Sequence, residues 1–186
     1  MKSDNNEEYN LVVKLLGRQP RTPFTVKTYC PDGTPQTIIA NPVFLEDGIW
    51  KPFPAFLWLV CPRLKAQAGI IEHQGYVKVF TNRLKEDSRF YEEFAKGQKE
   101  IAKIRLKLAE ELYPEKELPE HIKTILSENT IAGSKDIFGV KCLHSHLAHF
   151  LAFGNNPIGE EVYKMIGACR KEDACGSILK EKEEEK

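Results

Sequence analysis

The sequence predicts an α+β fold in which a small N-terminal β element packs with a mainly helical remainder that includes one long helix. Three observations predict it. Residues 24–30 alternate, and a Pro-Asp-Gly turn leads from them to a return strand at 35–44, the pattern of a hairpin. Residues 86–113 carry Phe90, Phe94, Ile101, Ile104, Leu108 and Leu112 at helical spacing among Lys and Glu. The 186 residues are 41% apolar and 29% charged, enough to bury one core without covalent staples.

The elements follow in order. Residues 1–6 are polar and expected to be disordered. Tyr9, Val12, Val13, Leu15 and Leu16 give a helix over 7–17, with Gly17 as its stop. A basic, proline-broken loop at 18–23 leads to a strand at 24–30, the turn 31–34, and a return strand at 35–44, with Cys30 at the hairpin tip. Residues 45–56 read as a proline-rich aromatic loop, and the apolar run 57–61 as a buried strand. Pro62 opens a helix through residue 74, where its missing N–H is no loss, and Gly75 closes it. "YVKVF" (76–80) alternates and reads as a third strand. Further helices are expected at 86–113, 118–129, 140–153 and 158–168, with a glycine-containing loop at 130–139. Residues 7–168 thus form one domain, followed by a charged tail at 169–186.

Composition narrows the function. The formal net charge is zero, which argues against a domain that coats nucleic acid. The longest apolar run, around 55–60, is too short to span a bilayer, and the acidic start does not read as a secretory signal. A cytoplasmic setting follows, and with it five cysteines that are free thiols or metal ligands rather than disulfides. Cys169 and Cys175 read as free thiols there. No phosphate-binding loop, dinucleotide fingerprint or nucleophile-elbow motif is present.

The chemistry concentrates in "KCLHSHLAHFLA" (141–152), which holds three of the five histidines. On a helix, Val140, Leu143, Leu147, Phe150 and Leu151 form an apolar arc. Cys142, His146 and His149 fall within about 60° of one another beside it, with His144 at the arc's other border. One Cys and two His suit zinc or a site with an open coordination position. The same pattern also fits a plain buried helix edge, since Cys is itself among the most buried residue types. Cys61 precedes a helix N-terminus, where the dipole favours thiolate. Arg18, Arg21, Arg63 and Lys141 are candidate contacts for a small anionic ligand.

The segments "LLGRQPR", "YCPDGTPQTI", "DGIWKPFPAFLWLVCPRL" and "GVKCLHSHLAHFLAFGNNPIGEEV" together resemble the bacterial family catalogued as domain of unknown function 501, over about residues 15–168. The family pattern falls on Cys30, residues 52–54, residues 61–64, residues 141–144, His149 and residues 156–159. The resemblance implies that separated cysteines and a histidine pair belong to one pattern. It suggests Cys30, Cys61 and Cys142 as metal ligands, with His146 or His149 completing the shell, around zinc or an iron–sulfur cluster. Two other readings remain. His144 or His149 would serve a Cys142 or Cys61 thiolate in an enzyme acting on a small anion. Alternatively, the aromatic loop at 49–54 and the 86–113 helix would contact a partner, with no catalysis.

Overall fold

The computed structural model describes residues 6–170 and residue 175. Helix α1 (Asn6–Leu16) leads into strand β1 (Phe24–Tyr29). The Pro-Asp-Gly turn then does what its residues dictate. Asp32 Oδ1 accepts from Thr34 N at 2.9 Å, and Gly33 sits at a φ of 84°. Strand β2 (Pro35–Ala40) returns antiparallel, with Phe24 opposite Ala40 and Val26 opposite Ile38.

Residues 42–56 are more regular than a loop. Strands β3 (Val43–Glu46) and β4 (Ile49–Pro52) pair antiparallel around Asp47-Gly48, whose φ values are 51° and 76°. Asp-Gly with both φ positive is the two-residue hairpin turn. The neighbouring prolines hide that signal in the sequence. The aromatic side chains of this stretch are engaged internally. Trp50 meets Tyr113 edge-on at 4.9 Å between centroids, and Phe53 meets Trp58 at 5.6 Å. Strand β5 (Leu57–Leu59) joins the other edge of β2, giving the sheet order β1-β2-β5. The central strand is almost wholly buried.

Helix α2 (Pro62–His73) starts at Pro62, with Cys61 as its N-cap residue. Gly75, at φ 88°, turns the chain into α3 (Tyr76–Glu86). The expected strand at 76–80 is therefore helical. Over the longer window Tyr76, Phe80 and Leu84 recur at helical spacing, and Phe80 and Leu84 are buried. Asp87 then caps α4 (Ser88–Leu112) by accepting from Phe90 N at 3.0 Å. The long helix buries Phe90, Phe94, Ile101, Arg105 and Ala109, whereas Ile104 of the expected stripe faces outward. Helices α5 (Glu120–Glu128), α6 (Leu143–Phe153) and α7 (Pro157–Ile166) complete the chain. Among the described residues no helix is long and apolar enough to cross a membrane. Residues 1–5, 171–174 and 176–186, which include the expected disordered start and most of the charged tail, lie outside the described residues.

Three apolar clusters hold these elements. The largest joins α2, α3, α4, α6 and α7 to β5. A second lies between α1 and the sheet, and a third between α4, α5 and β3. Between the first and third sits Arg105, fully buried and with no carboxylate partner among the described residues. Its guanidinium donates to Leu126 O at 2.5 Å, Pro54 O at 2.8 Å, Asn129 O at 2.6 Å and Thr130 O at 3.5 Å. Burial alone brings it down to about 10, which leaves it charged at neutral pH. The charge is answered by carbonyl dipoles at the C-terminal end of α5, the negative pole of that helix. Arg105→Leu leaves those carbonyls unanswered, and we expect a loss of about 3 kcal/mol or more in urea unfolding. A loss within about 0.5 kcal/mol would show that Arg105 is not the clamp described.

Candidate metal centre

Each cysteine is placed by local chain geometry. Cys30 ends the first strand, held by Cys30 N to Thr34 O at 2.8 Å and by Gly33 N to Cys30 O at 2.9 Å. Cys61 stands where β5 gives way to α2, with its amide donating to Gln36 O at 3.2 Å. Cys169 follows the end of α7 across Gly167, whose φ is 72°. Cys175 lies six positions further along the chain. All four are buried and unoxidised.

Their sulfurs meet. Cys61 Sγ is 3.6 Å from Cys169 Sγ and 4.0 Å from Cys175 Sγ. The sulfurs of Cys30, Cys61 and Cys169 all lie within 4.8 Å of one another. These separations are far beyond a disulfide bond of about 2.05 Å. The thiols therefore titrate as a group. A hydrogen bond from Cys30, with the Leu64 amide adding to it, draws Cys61 down to about 6 against the effect of burial. Cys30 shifts upward in return, through its bond to Cys61 and through burial. Burial raises Cys169, and raises Cys175 to about 12. Arg63 adds positive charge at the rim. Its Nη1 is 4.0 Å from Cys169 Sγ, and the guanidinium also donates to Ile166 O at 3.1 Å and Gly167 O at 3.2 Å. Buried sulfurs grouped in this way could hold a metal ion.

Cys142 is elsewhere. It is the N-cap residue of α6, in extended backbone at φ −151°. It lies outside the helix proper, so its helical-wheel angle relative to His146 and His149 does not apply. Its neighbours are His144 and Glu72, and this trio is a second group of suitable ligands. His144 Nδ1 is 2.9 Å from Glu72 Oε1 and 3.6 Å from Cys142 Sγ, while Nε2 is 3.0 Å from Lys65 O. Leu143 N also donates to Glu72 Oε1, at 2.6 Å. A carbonyl and a carboxylate only accept, so both ring nitrogens carry protons and His144 is an imidazolium. Held this way, the ring has no free lone pair with which to take a proton. Contact with Cys142 and Glu72 lifts it to about 9 despite burial. Burial opposes ionisation of Cys142, but His144 and the Ser145 amide outweigh it and favour the thiolate.

His146 and His149 belong to a third arrangement, apart from every cysteine. The two hydrogens of Asn156 Nδ2 serve one ring each, at 3.1 Å to His146 Nδ1 and 2.9 Å to His149 Nδ1. Asn156 Oδ1 meanwhile caps α7 by accepting from Gly159 N at 2.9 Å. Both rings thus accept at Nδ1 and are neutral. Burial brings His146 down to about 3 and His149 to about 4. A side chain at Gly159 would run into the His146 carbonyl, and one at Gly97 into the Asn155 carbonyl. The histidines, the asparagine and both glycines lock α4, α6 and α7 together.

The four basic residues expected to meet an anion do not converge. Arg18 lies over the Trp58 ring at 4.7 Å, Arg21 is exposed, and Lys141 donates to Gly133 O at 3.4 Å. Arg63 serves the end of α7, as above.

A family model described as "Protein of unknown function (DUF501)" matches residues 26–164. The chain belongs to this family. No curated protein and no solved structure matches it. The matched span holds Cys30, Cys61, the Glu72–Cys142–His144 trio and the Asn156 lock, while Cys169 and Cys175 follow it.

The neutral His149 generates a pH dependence. An unfolded histidine titrates near 6.5. Between about pH 6.5 and about pH 4 the unfolded chain binds a proton that the folded chain refuses. This stabilisation is fully present above pH 6.5 and is lost as pH falls toward 4, at up to about 1.4 kcal/mol per pH unit. His149→Gln should be less stable at pH 7.5 yet show a flatter decline toward pH 5 in urea unfolding. Parallel declines for the two proteins would show that His149 is not the group that titrates.

Proposed function

We propose that this protein is a zinc protein, with Cys30, Cys61, Cys169 and Cys175 as a closed four-thiolate structural centre. The separation of the sulfurs carries the reading. Tetrahedral zinc with Zn–S near 2.3 Å sets its sulfurs about 3.8 Å apart. The 3.6 Å and 4.0 Å separations from Cys61 bracket that value. An iron–sulfur cluster distributes its thiolates over several irons and spreads them more widely, which three sulfurs within 4.8 Å do not fit.

The chemistry around the sulfurs supports the same ion. Four thiolates around a divalent cation leave a net charge of about −2, which needs nearby positive potential. The N-terminus of α2 supplies it at Cys61, and Arg63 supplies it at Cys169. On this reading Cys142, His146 and His149 are not ligands of the centre. The folded unit extends through Cys175 instead of ending at residue 168. Reduced thiols also call for a reducing compartment, consistent with a cytoplasmic setting.

The ion ties the hairpin turn and the N-terminus of α2 to the segment after α7. Such a centre contributes its binding energy to folding. Protein purified without a polyhistidine tag should carry at least one zinc per chain. Cys61→Ser and Cys175→Ser should each lose that ion, and a strong chelator should lower the Tm of the wild type by roughly 10 °C or more. Zinc-free protein with an unchanged Tm and four freely titrating thiols would overturn the reading.

A further inference from the structure

We propose that Glu72, Cys142 and His144 form a second divalent-cation site, one that keeps a coordination position open. The donor set is one sulfur, one ring nitrogen and one carboxylate oxygen, drawn from the last turn of α2 and the N-terminus of α6. All three atoms lie within 4.8 Å of one another. Such a mixed set suits zinc and its first-row neighbours.

The surroundings orient each donor as metal ligands are oriented. Nε2 of His144 is fixed on Lys65 O at 3.0 Å, which leaves Nδ1 as the nitrogen directed at Glu72 and Cys142. Metal-bound histidines commonly hold their other nitrogen on a carbonyl in this way. Leu143 N fixes Glu72 Oε1 at 2.6 Å. The Nδ1 proton of the imidazolium now occupies the point toward which carboxylate and thiolate both face. A divalent cation takes that place by displacing one proton to solvent. Carboxylate, thiolate and neutral imidazole around a divalent cation sum to zero, which suits a half-buried site.

Three protein donors leave a fourth position for water, the hallmark of reactive rather than structural zinc. The site is also reachable. The His144 and Glu72 side chains are 29% and 27% exposed, and a surface cavity of about 310 Å³ borders the site at His144, Lys65 and Ser145. The four-cysteine centre has no part in this argument, and either site stands or falls without the other.

The full chain, without a polyhistidine tag, is stripped with chelator and then dialysed against zinc. We expect two zinc ions per chain for the wild type, and one each for Cys142→Ser and Glu72→Gln. Alkylation of Cys142 by iodoacetamide, mapped by mass spectrometry, should slow at least tenfold when zinc is added to the stripped wild type. This second measurement needs no variant to fold. Equal zinc content in wild type, Cys142→Ser and Glu72→Gln, or zinc-independent alkylation of Cys142, overturns the proposal. Loss of one ion in Cys175→Ser with Cys142 still protected supports both sites. A single ion in the wild type that protects Cys142 supports this site and sinks the four-cysteine reading.

Discussion

Bringing the sulfurs of Cys30, Cys61 and Cys169 within 4.8 Å of one another, with Cys175 4.0 Å from Cys61, requires three chain segments, far apart in sequence, to end in one place, and much of the fold can be read as satisfying that requirement. Strand β1 must end just before Cys30, β5 must hand over to α2 at Cys61, and α7 must stop before Cys169. Each stop has a local cause: the Asp32 turn, Pro62 at the first helical position, and Gly167. Gln36 O, in the central strand, accepts from both Val60 N and Cys61 N, at 2.9 Å and 3.2 Å. The sheet thereby fixes where the thiol at the head of α2 emerges.

The other buried polar groups hold the helices that deliver these ends. Arg105 gathers carbonyls from the end of α5, the loop after it and Pro54 in the segment between β4 and β5. Asn156 gathers two rings of α6 and the first turn of α7. In both cases one side chain with several donors answers several acceptors that burial would otherwise leave costly. Such hubs define angles between helices more tightly than apolar contact alone.

The fold class was legible because its signals are local. The Pro-Asp-Gly turn, Pro62 and the Phe90–Phe94–Ile101 spacing each announce their element within a few residues. The errors are local too. Five residues of "YVKVF" alternate, but the helical period shows only when the window reaches Leu84. Asp47-Gly48 is hairpin chemistry masked by the prolines that follow. The grouping of cysteines was less legible. Cys142 was placed on a helical stripe although it precedes the helix, where wheel angles have no meaning. Cys169 and Cys175 were set aside with a charged tail, because a Cys pair six positions apart is wider than the usual ligand spacing and only the tertiary structure brings them to Cys61. Glu72 gave no signal at all. Its meeting with residues 142–144 is purely tertiary, and a glutamate in the last turn of a helix looks like any solvated one.

Helix α2 explains why two chemically different groups coexist on so small a frame. It opens at Cys61 and carries Glu72 in its last turn, a rise of about 17 Å between the two backbone positions. Within that span the same helix lends its N-terminal potential to one sulfur cluster and a carbonyl and a carboxylate to the His144 ring. The His144 ring spans the helix, from Lys65 O in its first turn to Glu72 in its last. At the head of the helix every donor is sulfur and every sulfur is enclosed. At its foot the donors are mixed and the group is open to water. Residue type and exposure thus change together along one rigid element: buried sulfurs gather at the head of α2, and a half-buried mixed group of sulfur, nitrogen and carboxylate gathers about Glu72 in its last turn.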